Sequence, residues 1–270
     1  MTRLPLLTLS VLALLLGSCK EYAYYQSPFQ GATSSYKTMP MQSQGINSAF
    51  YASGALVAGG ANYNLRDGVT GFTGSLYRSQ VLGSFRAFYG VDAALGGYRV
   101  RPLFSNNGYT VSDSYPNDSL IYTRKGTKFY GGWGASGGIY LTQPFNNGGE
   151  WRIVGAELSW QNEYGRYLSF RKDLPDTATN LNNRHKSFIT LGFHTDMLFK
   201  VRRGAFGVKF GPVLSMRRET ISYSETDISR VSTGYWSTTF HLTKNRTTGY
   251  MQINFGSWAA NVMFGVNCRL

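Results

Sequence analysis

Two side chains in the second half of the sequence, His194 and Asp196, are of the types that general acid–base chemistry uses. They are two residues apart, so in a β-strand they lie on the same face. Ser159 and Ser215 fall on the polar faces of the predicted strands on either side, and a serine beside a histidine is the arrangement of a nucleophile and its base. A base must come within about 3 Å of its nucleophile. His194 falls near mid-strand, away from a rim, which favours a buried polar network over catalysis.

Metal and nucleotide chemistry are not indicated by the remaining motifs. Spacing supplies no third ligand beside His194 and Asp196, and CxxC pairs are absent, so we expect no metal and no other cofactor. The stretch GWGASG at residues 132–137 matches the G-x-G-x-x-G pattern of dinucleotide-binding folds. A strand-like sequence follows it instead of a helix, which argues against that site. The glycines are better explained as room for tyrosines on neighbouring strands.

The first twenty residues have the features of an export signal. Arg3 precedes Leu4–Leu16, an uncharged run of 13 residues that is too short to cross a bilayer as a helix. The run ends in Leu-Gly-Ser-Cys at residues 16–19, which resembles the lipobox of bacterial lipoproteins. The resemblance implies cleavage before Cys19 and acylation of this cysteine. Because residue 20 is Lys and not Asp, it also implies an outer-membrane destination.

The composition of the rest of the chain favours one class of membrane protein. Charged residues make up 15% of the sequence, compared with about 25% in average soluble domains. There are 19 Tyr and 32 Gly but only 8 Pro. No second long apolar run follows the signal, so a membrane-spanning helix is not expected. Few charges, many tyrosines and glycines, and an export signal together favour a transmembrane β-barrel.

Apolar and polar residues alternate along segments of the length that such a barrel needs. Between residues 205 and 216, Phe206, Phe210 and Leu214 share one face, whereas Lys209 and Ser215 share the other. We therefore predict an all-β fold, an antiparallel up-and-down transmembrane β-barrel of about ten strands, with eight as the alternative if the last three are merged differently. The predicted strands are 47–63, 67–80, 84–100, 127–142, 150–163, 186–201, 204–217, 234–243, 248–256 and 259–270.

The polar faces contain glycine, serine, tyrosine and isolated charges of both signs, so we expect them to line the lumen while the apolar faces meet lipid. Small residues interleaved with tyrosine are suited to a narrow, side-chain-filled interior. Charges there require partners, because an unpaired buried charge costs several kcal/mol. The predicted polar network of the lumen comprises Arg86, Asp92, Glu157, His194, Asp196 and Lys209.

The connections between predicted strands alternate in length. Every long polar segment, 101–126, 164–185 and 218–233, follows an odd-numbered strand. Outer-membrane barrels likewise have short periplasmic turns and long external loops. Both chain ends are then expected on the periplasmic face, from which a lipid on Cys19 could insert into the inner leaflet; the sequence leaves the leaflet open.

Three regions follow from these assignments: a lipoprotein signal peptide (1–18), a lipidated N-terminal tether (19–46) and the barrel (47–270). The tether is polar, which predicts a flexible linker. The alternative is that its aromatic side chains dock on the barrel or plug its periplasmic mouth; these are Tyr22, Tyr24, Tyr25 and Phe29.

The chain has a formal net charge of +13, and many of its basic residues lie in and beside the long loops. These are Arg99, Arg101, Arg124, Lys125, Arg166, Arg171, Lys172, Arg184, Lys186, Arg217, Arg218 and Arg230. Lysine and arginine attract anionic headgroups at short range, so outer-membrane lipids, and lipopolysaccharide at this basic rim, are the expected partners. A solvated rim without a specific partner is the alternative. Nucleic acid is not expected.

At the level of pattern, the mature chain resembles the small outer-membrane β-barrel proteins of Gram-negative bacteria, here made as a lipoprotein. The resemblance implies a non-enzymatic, lipid-anchored barrel in the outer membrane that serves as an envelope structural or interaction protein, or as an accessory subunit of an envelope protein complex. Two alternatives remain: a barrel enzyme that modifies envelope lipids with His194 as base, and a narrow channel for a small solute.

Overall fold

The computed structural model describes residues 23–30, 34–41, 45–101, 125–175, 179–202, 204–222 and 228–270. These residues form mainly strands: β1 Tyr24–Tyr25, β2 Ser48–Ala61, β3 Asp67–Leu82, β4 Phe85–Val100, β5 Gly126–Pro144, β6 Glu150–Tyr164, β7 Leu181–Asn182, β8 Ser187–Val201, β9 Gly204–Ser222, β10 Ile228–Lys244, β11 Thr247–Gly256 and β12 Ala259–Arg269. A 3₁₀ turn spans Tyr63–Leu65, and one helix, α1, spans Arg166–Asp173.

Ten strands of the described chain, β2–β6 and β8–β12, form a closed antiparallel barrel. Each strand pairs with the next along the sequence, and β12 closes the barrel against β2, with Phe264 opposite Leu56. The prediction of an up-and-down barrel is therefore confirmed, with ten strands and not eight. Closure leaves no unpaired sheet edge, as a barrel that faces hydrocarbon requires.

The two faces of the barrel wall have opposite chemistry. Phe193 and Leu214 point outward and are 45% and 46% exposed, whereas Asp196 and Lys209 on the same strands point inward and are buried. Outward apolar side chains recur around the whole barrel, among them Leu56, Phe72, Leu76, Val91, Leu95, Trp133, Leu158, Trp236, Phe255 and Phe264. This outward apolar surface is typical of barrels that contact lipid.

Strands β8 and β9 are not paired continuously around Pro212. The paired residues skip from Gly192–Val213 to Thr195–Phe210. Proline has no amide hydrogen to donate to a ladder. Because Pro212 lies in this gap, no hydrogen bond from its nitrogen to β8 is required. On the other side, Pro212 lies opposite Trp236 of β10.

Most predicted strand limits agree with the structure within three residues, but the predicted loop 218–233 is wrong at both ends. β9 continues to Ser222 and β10 begins at Ile228, with Ile221 opposite Ser229. Glu219 and Ile221 are buried while Thr220 is exposed, so the inward–outward alternation persists in a stretch whose polar composition resembles a loop.

The connection between β6 and β8 folds over one end of the barrel. It contains α1 and β7, and Tyr167 and Phe170 of α1 are buried. β7 pairs in parallel with β1 near the start of the described chain, with Tyr24 opposite Leu181. We call this end, where residues 101–125 and 165–186 connect strands, the long-loop end; the opposite end, which holds the turns near residues 83 and 245, is the short-turn end.

Candidate functional site

The lumen of the barrel is occupied by the chain's own N-terminal residues. We call residues 23–30 and 34–41 the lumen segment. Its side chains are buried with few exceptions, and Tyr25, Ser27 and Gln30 are almost completely so. Residues of this kind in a solvated linker would be exposed, so the described part of the predicted tether is not a flexible linker. The alternative prediction, docking on the barrel, agrees with this burial. The contacts extend along the lumen well beyond the predicted periplasmic mouth.

The lumen segment begins at the long-loop end. The Ala23 amide donates to Asn180 Oδ1 at 2.9 Å, and the Tyr24 amide donates to Asn62 Oδ1 at 2.7 Å. The Tyr24 ring stacks on Trp258 with centroids 4.7 Å apart. Ala23 therefore lies at the end of the barrel opposite to the C-terminus, which follows β12 at the short-turn end.

The helix α1 holds this part of the lumen segment in place. The Tyr167 hydroxyl donates to the Gln26 carbonyl at 3.1 Å. Burial raises the pKa of Tyr167 well above its usual range, so the hydroxyl remains a donor. Arg171 of the same helix lies 2.5 Å from Glu163 of β6, and Ser27 donates to Glu163 at 2.6 Å.

Phe29 packs against the barrel wall in the long-loop half of the lumen. Its ring meets Tyr130 edge-on with centroids 5.9 Å apart, and Phe188 lies 6.2 Å away. A Cβ atom added to Gly132 would lie 2.4 Å from Phe29 Cζ. This glycine of the GWGASG stretch therefore makes room for a phenylalanine of the lumen segment, whereas the sequence interpretation assigned that room to tyrosines on neighbouring strands.

The short-turn half of the lumen segment is bonded by its backbone as well as by its side chains. The Thr38 amide donates to Tyr77 Oη at 2.8 Å. Asn267 Nδ2 donates to the Tyr36 carbonyl at 3.1 Å and to Thr38 Oγ1 at 2.9 Å. Buried peptide groups require such partners in the absence of strand pairing, and here the inner wall of the barrel provides them.

One buried ion network joins the lumen segment to strands β4, β6, β8 and β10. Arg152 contacts Glu150 at 3.1 Å and Asp196 at 2.6 Å, and it donates to the Met39 carbonyl at 2.9 Å. Arg86 contacts Glu150 at 3.0 Å. On the other side, His241 Nε2 lies 3.0 Å from Asp196 Oδ1 and 3.1 Å from the hydroxyl of Tyr36.

Two further groups contain the rest of the predicted polar residues. Lys209 lies 2.6 Å from Glu157, His194 Nδ1 lies 3.6 Å from the same carboxylate, and Tyr140 donates to it. Elsewhere, Asp92 accepts from Ser136 at 2.5 Å and forms an ion pair with Lys37 of the lumen segment. The six predicted residues thus all line the lumen, in three separate groups.

The arrangement around His194 differs from that of a nucleophile and its base. Ser159 accepts a hydrogen bond from Gln161 at 3.1 Å, and Ser215 accepts one from Gln30 at 3.3 Å. The cavity bordered by Ser159 and His194 has a volume of about 20 Å³, which corresponds to roughly one water molecule. An acyl chain does not fit there. In the described ranges, no group of three or more His, Cys, Asp or Glu side chains has the geometry of a metal site.

Most residues of the predicted basic rim lie at the surface of the barrel. Nine of these side chains are exposed toward the long-loop end: Arg99, Arg101, Lys125, Arg166, Lys172, Lys186, Arg217, Arg218 and Arg230. Arg171 is an exception because it is fully buried against Glu163, and Arg184 is bonded to the Leu174 carbonyl. Arg124, like Cys19 and Tyr22, lies outside the described residues.

Several residues of the lumen were missed in the sequence. Glu150 and Arg152 are out of phase with Glu157 and Ser159, because the register of β6 shifts between Arg152 and Gly155. Strict alternation therefore predicts an outward position for both, and the bulge that turns them inward carried no signal in the sequence. Lys37 and Tyr36 carried no signal either, because they lie outside any strand and their contacts depend on the barrel around them.

No protein-family model matches this chain, and no curated protein matches it. Solved structures to which this chain is similar include the transport unit of the autotransporter AIDA-I from Escherichia coli (9% identity; 86% of this chain and 93% of that one; TM-score 0.40). Others are the β-domain of the Bordetella autotransporter BrkA (9%; 83% and 100%; 0.39) and the COG4313 outer-membrane channel from Pseudomonas putida F1 (9%; 91% and 100%; 0.36). Within the described ranges, no helix is long and apolar enough to cross a bilayer.

Proposed function

We propose that this protein is a non-enzymatic outer-membrane β-barrel, anchored in addition by a lipid on Cys19, whose lumen is closed by its own N-terminal residues. It serves as a structural or interaction protein of the envelope, either alone or as an accessory subunit of an envelope protein complex. The observation that carries this proposal is the burial of the lumen segment among ion pairs from both halves of the barrel wall.

The outer-membrane location is supported by the barrel wall itself. A closed ladder pairs most backbone groups of the strands without water, and the outward apolar side chains would be costly to expose to solvent. The lipobox at residues 16–19 supports lipidation independently, since it is a property of the sequence before the barrel begins.

A closed lumen supports a role other than bulk transport. The Lys37–Asp92 ion pair and the hydrogen bond from Arg152 to the Met39 carbonyl link the lumen segment to the facing strands. Two cavities beside the segment have volumes of about 10 and 20 Å³. A sugar is far larger than such a space. Moving the segment would expose several buried charges, so spontaneous emptying of the lumen is costly.

Liposome swelling tests the closed lumen directly. Purified mature protein in liposomes should cause no more swelling in sugar solutions than protein-free liposomes do, and planar bilayers should show no conductance steps. Free passage of sugars, or regular conductance steps, would instead favour the channel alternative.

The exposed cations of the basic rim are proposed to contact phosphate groups of lipopolysaccharide. Arg217 and Arg218 lie side by side and exposed near the end of β9, where short-range attraction to anionic headgroups operates. An Arg217→Ala/Arg218→Ala variant should co-purify with less lipopolysaccharide than the wild type. A Lys200→Ala/Lys244→Ala variant, which removes exposed charges at the short-turn end, is the matched control.

A further inference from the structure

The direction of the lumen segment determines where the N-terminus of the chain lies. At the short-turn end, Met41 packs with Leu198 and Ala205. At the long-loop end, the Ala23 carbonyl accepts from the amides of Asn180 and Leu181 at 2.9 and 3.2 Å. Followed backward from β2, the chain thus enters the lumen at the short-turn end and reaches the long-loop end by Ala23.

The reach of the chain before Ala23 is limited by its length. Cys19 precedes Ala23 by four residues, and four extended residues span at most about 14 Å. A 15-residue strand such as β8, tilted by roughly 40°, rises about 38 Å along the barrel axis. A stretch of that length does not reach from Ala23 to the short-turn end, and the lumen between the two ends is occupied by the lumen segment.

A stretch of four residues is nevertheless long enough to extend from the lumen to the barrel wall at the long-loop end. Ten strands spaced about 4.8 Å apart and tilted by roughly 40° enclose a barrel with a radius of about 10 Å. Four extended residues cover this distance from the lumen axis to the wall, where hydrocarbon begins. Long loops of outer-membrane barrels lie on the external side, so this rim borders the outer leaflet.

We propose that the mature N-terminus emerges at the cell surface and that the acyl chains of Cys19 insert into the outer leaflet of the outer membrane. The proposal rests on the proposed function, because it requires lipidation and outer-membrane insertion. It assigns the leaflet that the sequence leaves open, and it makes the barrel a conduit through which its own N-terminus is displayed.

Native lysines allow a test on the unmodified chain. Intact cells and cells with permeabilised outer membranes are treated with a membrane-impermeant amine reagent, and modified lysines are identified by mass spectrometry. Lys172 and Lys186 are exposed at the long-loop end, and Lys200 and Lys244 are exposed at the short-turn end. Lys37 is buried in the lumen and serves as the unreactive control.

Lys20, next to the lipidated cysteine, should react in intact cells together with Lys172 and Lys186. If it reacts only after permeabilisation, as Lys200 and Lys244 should, the proposal is overturned. Radiolabelled palmitate and membrane fractionation are measured on the same cells; loss of either signal would refute the proposed lipid-anchored barrel, whereas the position of Lys20 alone reports the direction of the segment.

A protease-site variant decides the case in which Lys20 does not react in either sample. A site-specific protease sequence is inserted between Lys20 and Glu21, with the same insertion between Asn146 and Asn147 of a short turn as the control. Protease added to intact cells should separate palmitate label from the barrel in the first variant and leave the second uncut. Label that stays with the full-length chain until permeabilisation would contradict surface display. Heat-modifiable migration on gels verifies that both variants fold.

Discussion

Lys37 of the lumen segment and Asp92 of β4 form an ion pair inside the barrel, with the lysine side chain 3% exposed and the aspartate 20% exposed. Removal of either side chain would leave the other charge inside the barrel without its ion-pair partner. The lysine comes from a stretch with no strand pairing of its own, so the pair fixes the position of that stretch against the wall. Similar contacts from Tyr36, Thr38 and Met39 make the segment part of the barrel's interior.

Replacing Lys37 by Met should destabilise the folded barrel by about 2–3 kcal/mol, because it leaves a partly buried carboxylate with only a hydroxyl partner. The measurement is reversible urea unfolding in lipid vesicles, followed by tryptophan fluorescence. The double variant Lys37→Met/Asp92→Asn should recover more than half of this loss. Additive effects of the two substitutions would show that the charges do not interact. Exposed Lys244→Met is the control.

Gly132→Ala should destabilise the protein by about 1–3 kcal/mol, because the new methyl group overlaps with the Phe29 ring. Gly249→Ala is the matched control, since no atom lies within 4 Å of a Cβ at that glycine. Phe29→Ala is costly by itself because it leaves a cavity, but in that background Gly132→Ala should add little further cost, so the two effects should be less than additive. Equal effects at the two glycines would contradict the packing of Phe29 in the lumen.

Arg152→Met should lower stability by about 3–5 kcal/mol, since it leaves two buried carboxylates each with one partner fewer. Arg152→Lys should not restore it fully, because a single ammonium cannot reach Glu150, Asp196 and the Met39 carbonyl in the fork geometry of a guanidinium. The temperature at which the folded band disappears on gels gives the order wild type, lysine variant, methionine variant. A lysine variant as stable as the wild type would argue against the multiple contacts.

His194→Ala should leave the lipid composition of the envelope unchanged. The imidazole neighbours Glu157 and a cavity of about 20 Å³, where no acyl chain can enter. Lipid extracts of cells with the variant and with wild-type protein are compared by mass spectrometry, with barrel folding confirmed on gels. An altered lipid profile despite a folded barrel would revive the enzyme alternative.

The wall of the barrel was predictable from the sequence because its signal is local. Alternation along β8 and β9 separates Phe193 and Phe206 from Asp196 and Lys209, and a period of two specifies which side chains share a face. The ends of β9 and β10 were harder to predict, because stretches of charged and polar residues that extend beyond the membrane have the composition of loops.

The contents of the lumen could not be predicted in the same way. Alternation places Asp92 inside the barrel, but it does not identify Lys37 as its partner 55 residues away. A segment without strand periodicity, such as residues 34–41, has its conformation imposed by the surrounding wall. Arg171 shows the same limit: its charge suggested a surface position, whereas the fold of α1 over the barrel end buries it beside Glu163.

The central claim is that the N-terminal residues lie within the barrel, and photo-crosslinking from position 29 tests it most directly. Phe29 is replaced by p-benzoylphenylalanine, the protein is expressed with its native signal, and cross-links formed in isolated outer membranes are mapped by mass spectrometry. The account predicts intramolecular cross-links to the wall around Tyr130, Gly132 and Phe188. Cross-links to other envelope proteins, with none to these strands, would contradict it.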